Sequence, residues 1–255
     1  MKKLVLVCLV GWWLPALAAW GPTGHRVVGH IAEQFLSKKA RKQVVAIMGT
    51  ESLAKASNWM DEMKSDPEYR YMNPWHYLNI DEGETYATTE KPEEGDVVSK
   101  INQFVAELKA GGLSQEEQLF RIRCITHLVG DLHQPMHLGR REDLGGNRVR
   151  IKWFGDDTNL HRMWDSDLID FQKLSYTELA TFVNTATPEQ VAKWQSTSPA
   201  DWAMESHKIA EELYASVEDG ENYSYGYNFE YYHYVEQRLM MAGVRLAGIL
   251  NEIYG

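Results

Sequence analysis

The stretch of the sequence that decides the fold is SQEEQLFRIRCITHLVGDLHQPMH, residues 114–137. Ser114 and Glu117 form a capping box, in which each side chain hydrogen-bonds the backbone of the other residue at a helix start. Apolar residues then recur three or four positions apart, the period of an amphipathic helix, at Leu119, Ile122, Ile125 and Leu128. Pro135 cannot continue a helix. The stretch therefore predicts a helix that ends in a turn containing several histidines.

Helical patterns dominate the rest of the chain. Asp96 precedes a second amphipathic run, which Gly111 ends. Further helix starts are indicated by a capping residue followed by proline or glutamate, at Ser175, Thr187 and Ser198. The residues 228–253 are compatible with one long helix. We predict strands only at 75–80 and 148–154, and hence an all-α, mainly helical single domain with at most a small β-hairpin.

The first 19 residues have the features of a secretory signal peptide. Two basic residues, Lys2 and Lys3, precede an apolar run that reaches Leu17, and the small residues Ala18 and Ala19 follow. That order is typical of a signal peptide, and the apolar run is shorter than the roughly 20 residues of a membrane-spanning helix. We expect cleavage after Ala19, a periplasmic or secreted domain over residues 20–255, and no membrane anchor.

The charge of the chain is strongly acidic. Its formal net charge is −10, which becomes −12 without Lys2 and Lys3. Proteins that bind nucleic acid through its phosphates are usually basic, so the charge alone argues against such a function unless bound cations offset it. The predicted mature chain keeps only Cys124, which excludes an internal disulfide. Bound metal is another source of stability for an exported domain.

Two pairs of histidine and aspartate have a spacing of four residues. His127 and Asp131 lie on the predicted helix, so both side chains project from one face, and His161 and Asp165 repeat the spacing. Each pair alone is more often a hydrogen-bonded surface pair than a metal site. After Pro135 ends the helix, His137 can return toward the same region.

Further candidate ligands lie upstream of these pairs. Asp61 follows a partly apolar segment, and His76 has aromatic residues on both sides. His25 closely follows Trp20, whose α-amino group would become the new terminus. Zinc favours imidazole and carboxylate ligands, and an amine that titrates near 8 loses its proton to zinc at modest cost.

Taken together, these residues resemble the S1/P1 nuclease family of single-strand-specific zinc nucleases. The matching residues occur in the same order as in the family and cover nearly the whole mature chain. They include the segment from His127 to His137 and Gly145-Gly146-Asn147. It implies three zinc ions and nine ligand residues, which are Trp20, His25, Asp61, His76, His127, Asp131, His137, His161 and Asp165. In this scheme Asp131 bridges two ions, Trp20 ligates through its amine and carbonyl, and the third ion is held by His137, His161 and Asp165.

The same resemblance implies an activity and a set of substrate-contacting residues. We expect an endonuclease and 3′-nucleotidase that cleaves single-stranded DNA and RNA to 5′-phosphorylated products, with Asp61 and Asp131 in the catalytic centre. Lys64 stands where relatives often have arginine, and Asn79 where they often have aspartate. Tyr77 matches a position that stacks a nucleobase, and Asn147 is a second expected substrate contact.

Two alternatives remain open from the residues. A zinc phospholipase C would use a similar cluster on a lipid phosphodiester, but the short spacing from Trp20 to His25 and the aspartate at position 165 favour the nuclease. A non-catalytic zinc-binding protein usually has flexible histidine-rich runs, which this chain lacks. We expect single-stranded nucleic acids and nucleotides as partners, no stable protein partner, and a monomer.

Overall fold

The helix predicted from the capping box at Ser114 runs from Gln115 to His133 and forms part of the core. The Ser114 hydroxyl accepts a hydrogen bond from the Glu117 amide, and the Glu117 carboxylate accepts one from the Ser114 amide. All residues from Cys124 to His133 are buried. A helix that is buried all round in its second half lies inside the fold rather than on its surface.

The computed structural model describes residues 20–255, which are mainly helical, as predicted. The α-helices are, in chain order, α1 Pro22–Phe35, α2 Lys38–Met48, α3 Leu53–Ala56, α4 Trp59–Met63, α5 Val97–Ala110, α6 Gln115–His133, α7 Leu160–Arg162, α8 Leu168–Phe171, α9 Tyr176–Val183, α10 Pro188–Gln195, α11 Pro199–Tyr214 and α12 Tyr225–Tyr254. Two 3₁₀ segments, Pro67–His76 and Pro135–Leu138, and a π-helical segment, Met163–Asp167, carry candidate site residues.

Helices α1, α6 and α12 pack against one another in the core. Helix α12 is the long C-terminal helix that the sequence predicts, and it begins three residues earlier than expected. Two glycines let α1 approach its neighbours closely. A Cβ atom at Gly243 would lie 2.5 Å from Cγ2 of Ile31, and one at Gly29 would lie 2.5 Å from the carbonyl oxygen of Leu53. This packing holds α1 against α3 and α12, and the start of α1 lies beside α6, where the candidate site forms.

The predicted hairpin is present. Strand β1, Arg150–Trp153, pairs antiparallel with β2, Asp156–Asn159, and Arg150 lies opposite Asn159. A two-residue strand, β3 (Asn222–Tyr223), pairs parallel with β1 on its other side. Strand β3 was not predicted from the sequence, because two residues are too few to show an alternating pattern.

The strand predicted for residues 75–80 is not formed. A 3₁₀ helix that contains Pro74 continues to His76, and Tyr77, the residue after it, is extended. The Leu78 amide donates to the His137 carbonyl at 3.0 Å, and the Ile80 amide donates to Gly139 at 3.0 Å. The partner of this segment is the turn after α6 rather than another strand, which is why no ladder develops. These bonds bring His76 and Tyr77 beside His137.

Within residues 20–255, no helix is long and apolar enough to cross a membrane. The predicted signal peptide, residues 1–19, lies outside the described residues.

Candidate metal centre

Four separate elements bring histidine and aspartate side chains to the C-terminal half of α6. His127 and Asp131 lie one turn apart on α6, and His25 lies in the first half of α1. His76 ends the first 3₁₀ segment, and Asp61 lies on α4. His127 and Asp131 therefore project from the same face of α6, because four residues are close to one helical turn.

The first cluster consists of Asp61, His76 and His127, with one oxygen of Asp131 beside them. Oδ2 of Asp131 lies 2.9 Å from Nδ1 of His76 and 3.1 Å from Nε2 of His127. The two histidine nitrogens are 3.0 Å apart, and Oδ1 of Asp61 is 3.7 Å from His127 Nε2. Zinc bonds of about 2.0–2.1 Å place tetrahedral donor atoms roughly 3.3 Å apart. The spacing of these four atoms fits one metal ion.

The orientation of His127 is set by the backbone. Its Nδ1–H donates to the carbonyl of Ser57 at 2.6 Å, so a neutral ring directs the lone pair of Nε2 toward the cluster. A hydrogen bond of this kind on the remote nitrogen is typical of metal-ligating histidines.

The second cluster consists of His25, His127 and Asp131. Nε2 of His25 lies 3.4 Å from Oδ1 of Asp131, the oxygen that the first cluster does not use. Neither atom has a hydrogen-bond partner within the described part of the chain, although both residues are fully buried. Unpaired buried polar atoms are costly, and a metal ion at this position would satisfy both. The His25 ring also stacks on His127 with 4.0 Å between centroids.

Trp20 lies beside this second cluster. Its side chain is completely buried, and its Cβ atom would be 3.1 Å from a Cβ placed on Gly24. The next residue, Gly21, donates its amide to the carbonyl of Asp165 at 2.6 Å. The start of the described chain is thus fixed close to both His25 and Asp165. Ligation by the Trp20 amine remains a prediction.

The third cluster consists of His137, His161 and Asp165, all of them buried. Nε2 of His161 lies 3.2 Å from Oδ2 of Asp165, and Nε2 of His137 lies 3.8 Å from Oδ1. Both rings are oriented by backbone carbonyls, since Nδ1–H of His137 donates to His76 and Nδ1–H of His161 donates to Gly145. The π-helical segment at 163–167 still places Asp165 opposite His161, as the spacing predicted.

Burial keeps two of the histidines neutral. It lowers the pKa of His25 to about 4, with help from neighbouring His127, and it lowers the pKa of His76 to about 3, with help from Lys64. For His127, burial also lowers the pKa, but Asp131 and Asp61 outweigh it and the pKa is raised. A metal ligand must be an unprotonated imidazole, which His25 and His76 supply at neutral pH.

The two deeply buried carboxylates differ in pKa. Burial raises the pKa of Asp131, but His127 and His137 more than offset this effect, and the pKa lies well below its usual value. For Asp165, burial prevails over His161 and His137, and the pKa is raised. A cation at the third cluster would therefore relieve an unfavourable burial of charge.

The four remaining predicted site residues lie around the clusters. Nζ of Lys64 is 2.6 Å from Oδ1 of Asp61, at the partly exposed edge of the first cluster. Tyr77 and Asn79 line a cleft of about 280 Å³ that also contains Arg141. Asn147 is mostly buried and donates its side-chain amide to the carbonyl of Leu144 at 2.9 Å, which gives it a role in holding that turn.

Three other histidines of the described chain make structural hydrogen bonds. His133 donates through Nδ1 to Val129 and accepts from Arg245 at Nε2. His207 donates to the carbonyl of Leu138, and His233 donates to that of Glu230. None of them joins the three clusters.

Two residues of the site were not found from the sequence. Gly130 lies beside His25, because a Cβ atom there would be 2.8 Å from His25 Nδ1. A glycine inside a strongly helical run is a weak signal for such a close approach. Gln134 hydrogen-bonds Asp165, and nothing in its local sequence indicates that contact.

Comparison with known proteins gives the site a context. The family described as S1/P1 Nuclease matches residues 20–255. Endonuclease 2 of Arabidopsis thaliana is 28% identical over an alignment of 284 positions, which covers 99% of this chain and 97% of that protein. Nuclease P1 of Penicillium citrinum is 23% identical, with 92% of this chain and 98% of that protein covered.

Nuclease S1 of Aspergillus oryzae is 26% identical over a shorter region, 58% of this chain and 54% of that protein. The family match spans every element that contributes a residue to the three clusters. This chain belongs to the S1/P1 nuclease family.

Proposed function

We propose that this protein is a zinc-dependent endonuclease and 3′-nucleotidase that hydrolyses phosphodiester bonds of single-stranded DNA and RNA and leaves 5′-phosphorylated products. Family membership supports a nuclease, and the relatives include proteins named Nuclease P1 and Nuclease S1. The proposal rests mainly on one observation, which is that the two oxygens of Asp131 face two different clusters. A carboxylate with its two oxygens directed at two sets of donor atoms can bridge a closely spaced pair of metal ions.

The proposed ligands divide among three zinc ions. The first ion would be held by Asp61, His76, His127 and Oδ2 of Asp131, and the second by Oδ1 of Asp131, His25, and the amine and carbonyl of Trp20. The third would be held by His137, His161 and Asp165. Three zinc ions add six positive charges at one place, which halves the formal charge of −12 expected for residues 20–255. The acidic composition is then compatible with a polyanionic substrate.

Zinc ions bound here would supply an acidified water nucleophile and stabilise negative charge on phosphoryl oxygens. Residues of the chain position the donor atoms for this chemistry. Asp131 and His127 are fixed by α6 and by the Ser57 carbonyl, so their donor atoms are positioned before any ligand binds. Such preorganisation avoids an energetic cost during the reaction.

Lys64 and Asn79 act at the edge of the centre. The Lys64 ammonium is held by Asp61 and is partly exposed, so it can pair with a phosphoryl oxygen of the substrate. Asn79 can donate a hydrogen bond but cannot accept a proton as a base. We therefore assign it an orienting role.

Tyr77 provides the proposed contact to a nucleobase. It directly follows His76, and its segment is hydrogen-bonded to the turn that carries His137. Stacking on an aromatic ring tolerates any base, but the base faces of a duplex are covered. A preference for single strands follows. Asn147 lies in the turn next to His161's backbone partner, Gly145, and we propose it as a second substrate contact.

We propose that the enzyme acts outside the cytoplasm, in the periplasm or after secretion. This rests on the signal-like residues 1–19, which precede the proposed mature terminus at Trp20. We further propose that it acts as a monomer without a stable protein partner.

The decisive experiment is digestion of single-stranded DNA, RNA and a matched duplex by the chain that starts at Trp20. Reactions with and without a zinc chelator are compared, and product ends are identified by mass spectrometry. We expect chelator-sensitive release of 5′-phosphorylated products from the single strands. A zinc-replete protein that cleaves none of the nucleic acids would refute the proposal, and phosphatidylcholine would then be the next substrate to test.

A further inference from the structure

Gln134 occupies the position between the first two clusters and the third. It follows the last residue of α6 and precedes the 3₁₀ segment that carries His137, and it is fully buried. Its amide nitrogen donates to the carbonyl of Asp131 at 3.0 Å, and its own carbonyl accepts from the amide of His137 at 3.1 Å. The backbone of Gln134 thus connects the bridging aspartate to a residue of the third cluster.

The side chain of Gln134 makes a second pair of contacts. Oε1 accepts a hydrogen bond from the Met136 amide at 2.5 Å, and Nε2 donates to Oδ1 of Asp165. The orientation of the amide group is fixed by the first bond, because a backbone N–H can only donate. The NH₂ group of Gln134 must therefore face Asp165.

This contact distinguishes the two oxygens of Asp165. Oδ1 is taken by Gln134, whereas Oδ2 is buried, has no hydrogen-bond partner among residues 20–255, and lies 3.2 Å from Nε2 of His161. A carboxylate with one oxygen hydrogen-bonded can no longer rotate freely. Oδ2 is then the oxygen directed at the ion position.

We propose that Gln134 is a positioning residue of the third cluster, which selects the oxygen of Asp165 that faces the metal and holds it against His161. The inference rests on the proposed function, because it assumes that the third cluster binds zinc.

Gln134 differs from the other groups that orient this cluster. His137 and His161 are held by backbone carbonyls, which substitution cannot remove. The carboxylate is held by a side chain, and that side chain can be exchanged. Loss of a hydrogen-bonding partner behind a metal ligand typically lowers metal affinity by about 10- to 100-fold.

The test measures zinc binding in Gln134→Met, which keeps the volume of the side chain and removes both of its hydrogen bonds. The protein is titrated with a competing chelator, and the zinc-to-protein ratio is determined at each concentration. We expect one zinc to be lost at about 10- to 100-fold lower chelator concentration than in the unaltered protein, with two retained. Ser206→Ala is the matched control, because it also removes two buried hydrogen bonds, one to the α6 carbonyl of Leu132 and one from Arg238, without touching the clusters.

A second variant separates positioning of Asp165 from capping of the 3₁₀ segment. Gln134→Glu can still accept from the Met136 amide, but as a carboxylate it cannot donate to Asp165. At pH 8 we expect it to lose the same zinc as Gln134→Met. Zinc binding like that of the unaltered protein would mean that Gln134 only caps the segment, and the inference would be wrong.

The identity of the lost ion is checked against His161→Ala, which removes a ligand of the third cluster. Adding Gln134→Met to His161→Ala should cause no further loss of zinc, since both changes act on one ion. An additional zinc lost in the double variant would overturn the inference. If the unaltered protein itself binds fewer than three zinc ions or cleaves no nucleic acid, the proposed function fails instead.

Discussion

Oδ1 of Asp131 lies 3.4 Å from Nε2 of His25, and neither atom has a hydrogen-bond partner in the described chain although both are completely buried. The other oxygen of Asp131 is close to His76 and His127. The burial of Oδ1 and of His25 Nε2 without a hydrogen-bond partner is energetically unfavourable, because buried polar atoms are normally paired. A cation on each side of Asp131 would satisfy these atoms.

Replacing Asp131 by asparagine tests this arrangement directly. The carboxamide nitrogen cannot coordinate a metal, so we expect loss of zinc from the first two clusters and a loss of nuclease activity by orders of magnitude. Zinc content and turnover on single-stranded DNA are the measurements. Asp170→Asn makes the same chemical change at an exposed position and should behave like the unaltered protein. Near-normal turnover of Asp131→Asn with its metal retained would refute the bridging role.

Gly130→Ala tests the close contact between α6 and His25. Alanine usually favours a helix over glycine, but here the added Cβ would lie 2.8 Å from Nδ1 of His25. We expect His25 to be displaced, zinc bound through it to be weakened, and the free energy of unfolding to fall by about 1–3 kcal/mol, as for other overpacked cores.

The matched control for this variant is Gly226→Ala, because a Cβ atom at Gly226, in the first turn of α12, meets nothing within 4 Å. That change should be neutral or stabilise by up to about 1 kcal/mol. Chemical denaturation and zinc titration of both variants give the comparison. Equal behaviour of the two alanine variants would show that position 130 tolerates a side chain.

The stability of the zinc-free protein should fall on mild acidification. The pKa of His25 is lowered from 6.5 to about 4 and that of His76 to about 3, so the unfolded chain binds more protons than the folded one below pH 6.5. Above pH 6.5 these two residues do not change the free energy of unfolding. As the pH falls from 6.5 toward 4, they lower it.

His127 acts in the opposite sense, because its pKa is raised and its contribution is lost as the pH increases above 6.5. His133 has a pKa lowered well below 6.5 by burial and by Arg238 and Arg245, and it adds to the acid sensitivity. We therefore expect a lower Tm at pH 4.5 than at pH 7 after chelator treatment. A Tm that stays constant over this range would contradict the burial of neutral histidines.

A chain with one extra residue before Trp20 should lack a complete second metal site. Trp20 is fully buried, and Gly21 is hydrogen-bonded to Asp165, so an added residue would convert the proposed amine ligand into an amide without freeing the segment. We expect one zinc fewer per chain and little activity when Ala19 is retained. Full activity with three zinc ions in that form would exclude the amine as a ligand.

The sequence predicted the helices and much of the site because both depend on short-range spacing. The capping box at Ser114 and the pairs His127–Asp131 and His161–Asp165 are local patterns, and the structure brings all eight predicted ligand side chains into three clusters. The strand predicted at residues 75–80 was wrong, since the backbone amides of Leu78 and Ile80 bond to the turn after α6 and not to another strand.

Other features could not be predicted because they depend on residues that are distant in sequence. Gln134 acts on Asp165, which is 31 positions away, and its neighbours give no sign of that contact. Gly130 approaches His25 only because α1 packs against α6. The carbonyls of Ser57, His76 and Gly145 orient histidines through backbone atoms, which carry no signal in the side-chain sequence.

Tyr77→Ala should weaken substrate binding without changing the metal content. Tyr77 lines the cleft beside Asn79 and contributes no metal-binding atom, so its removal leaves the three clusters intact. Stacking of a base on an aromatic ring contributes about 1–3 kcal/mol, which corresponds to a rise in KM of roughly 5- to 150-fold for a short single-stranded oligonucleotide.

A purely structural role for Tyr77 would lower Tm and kcat as well, so KM, kcat, Tm and zinc content are measured together. Phe182→Ala removes an aromatic ring that is 62% exposed on α9 and serves as the control. An abasic oligonucleotide gives the sharper comparison, because it offers no base to stack. The unaltered enzyme and Tyr77→Ala should bind it equally, and a KM difference as large as that for the normal oligonucleotide would show that Tyr77 does not act by stacking.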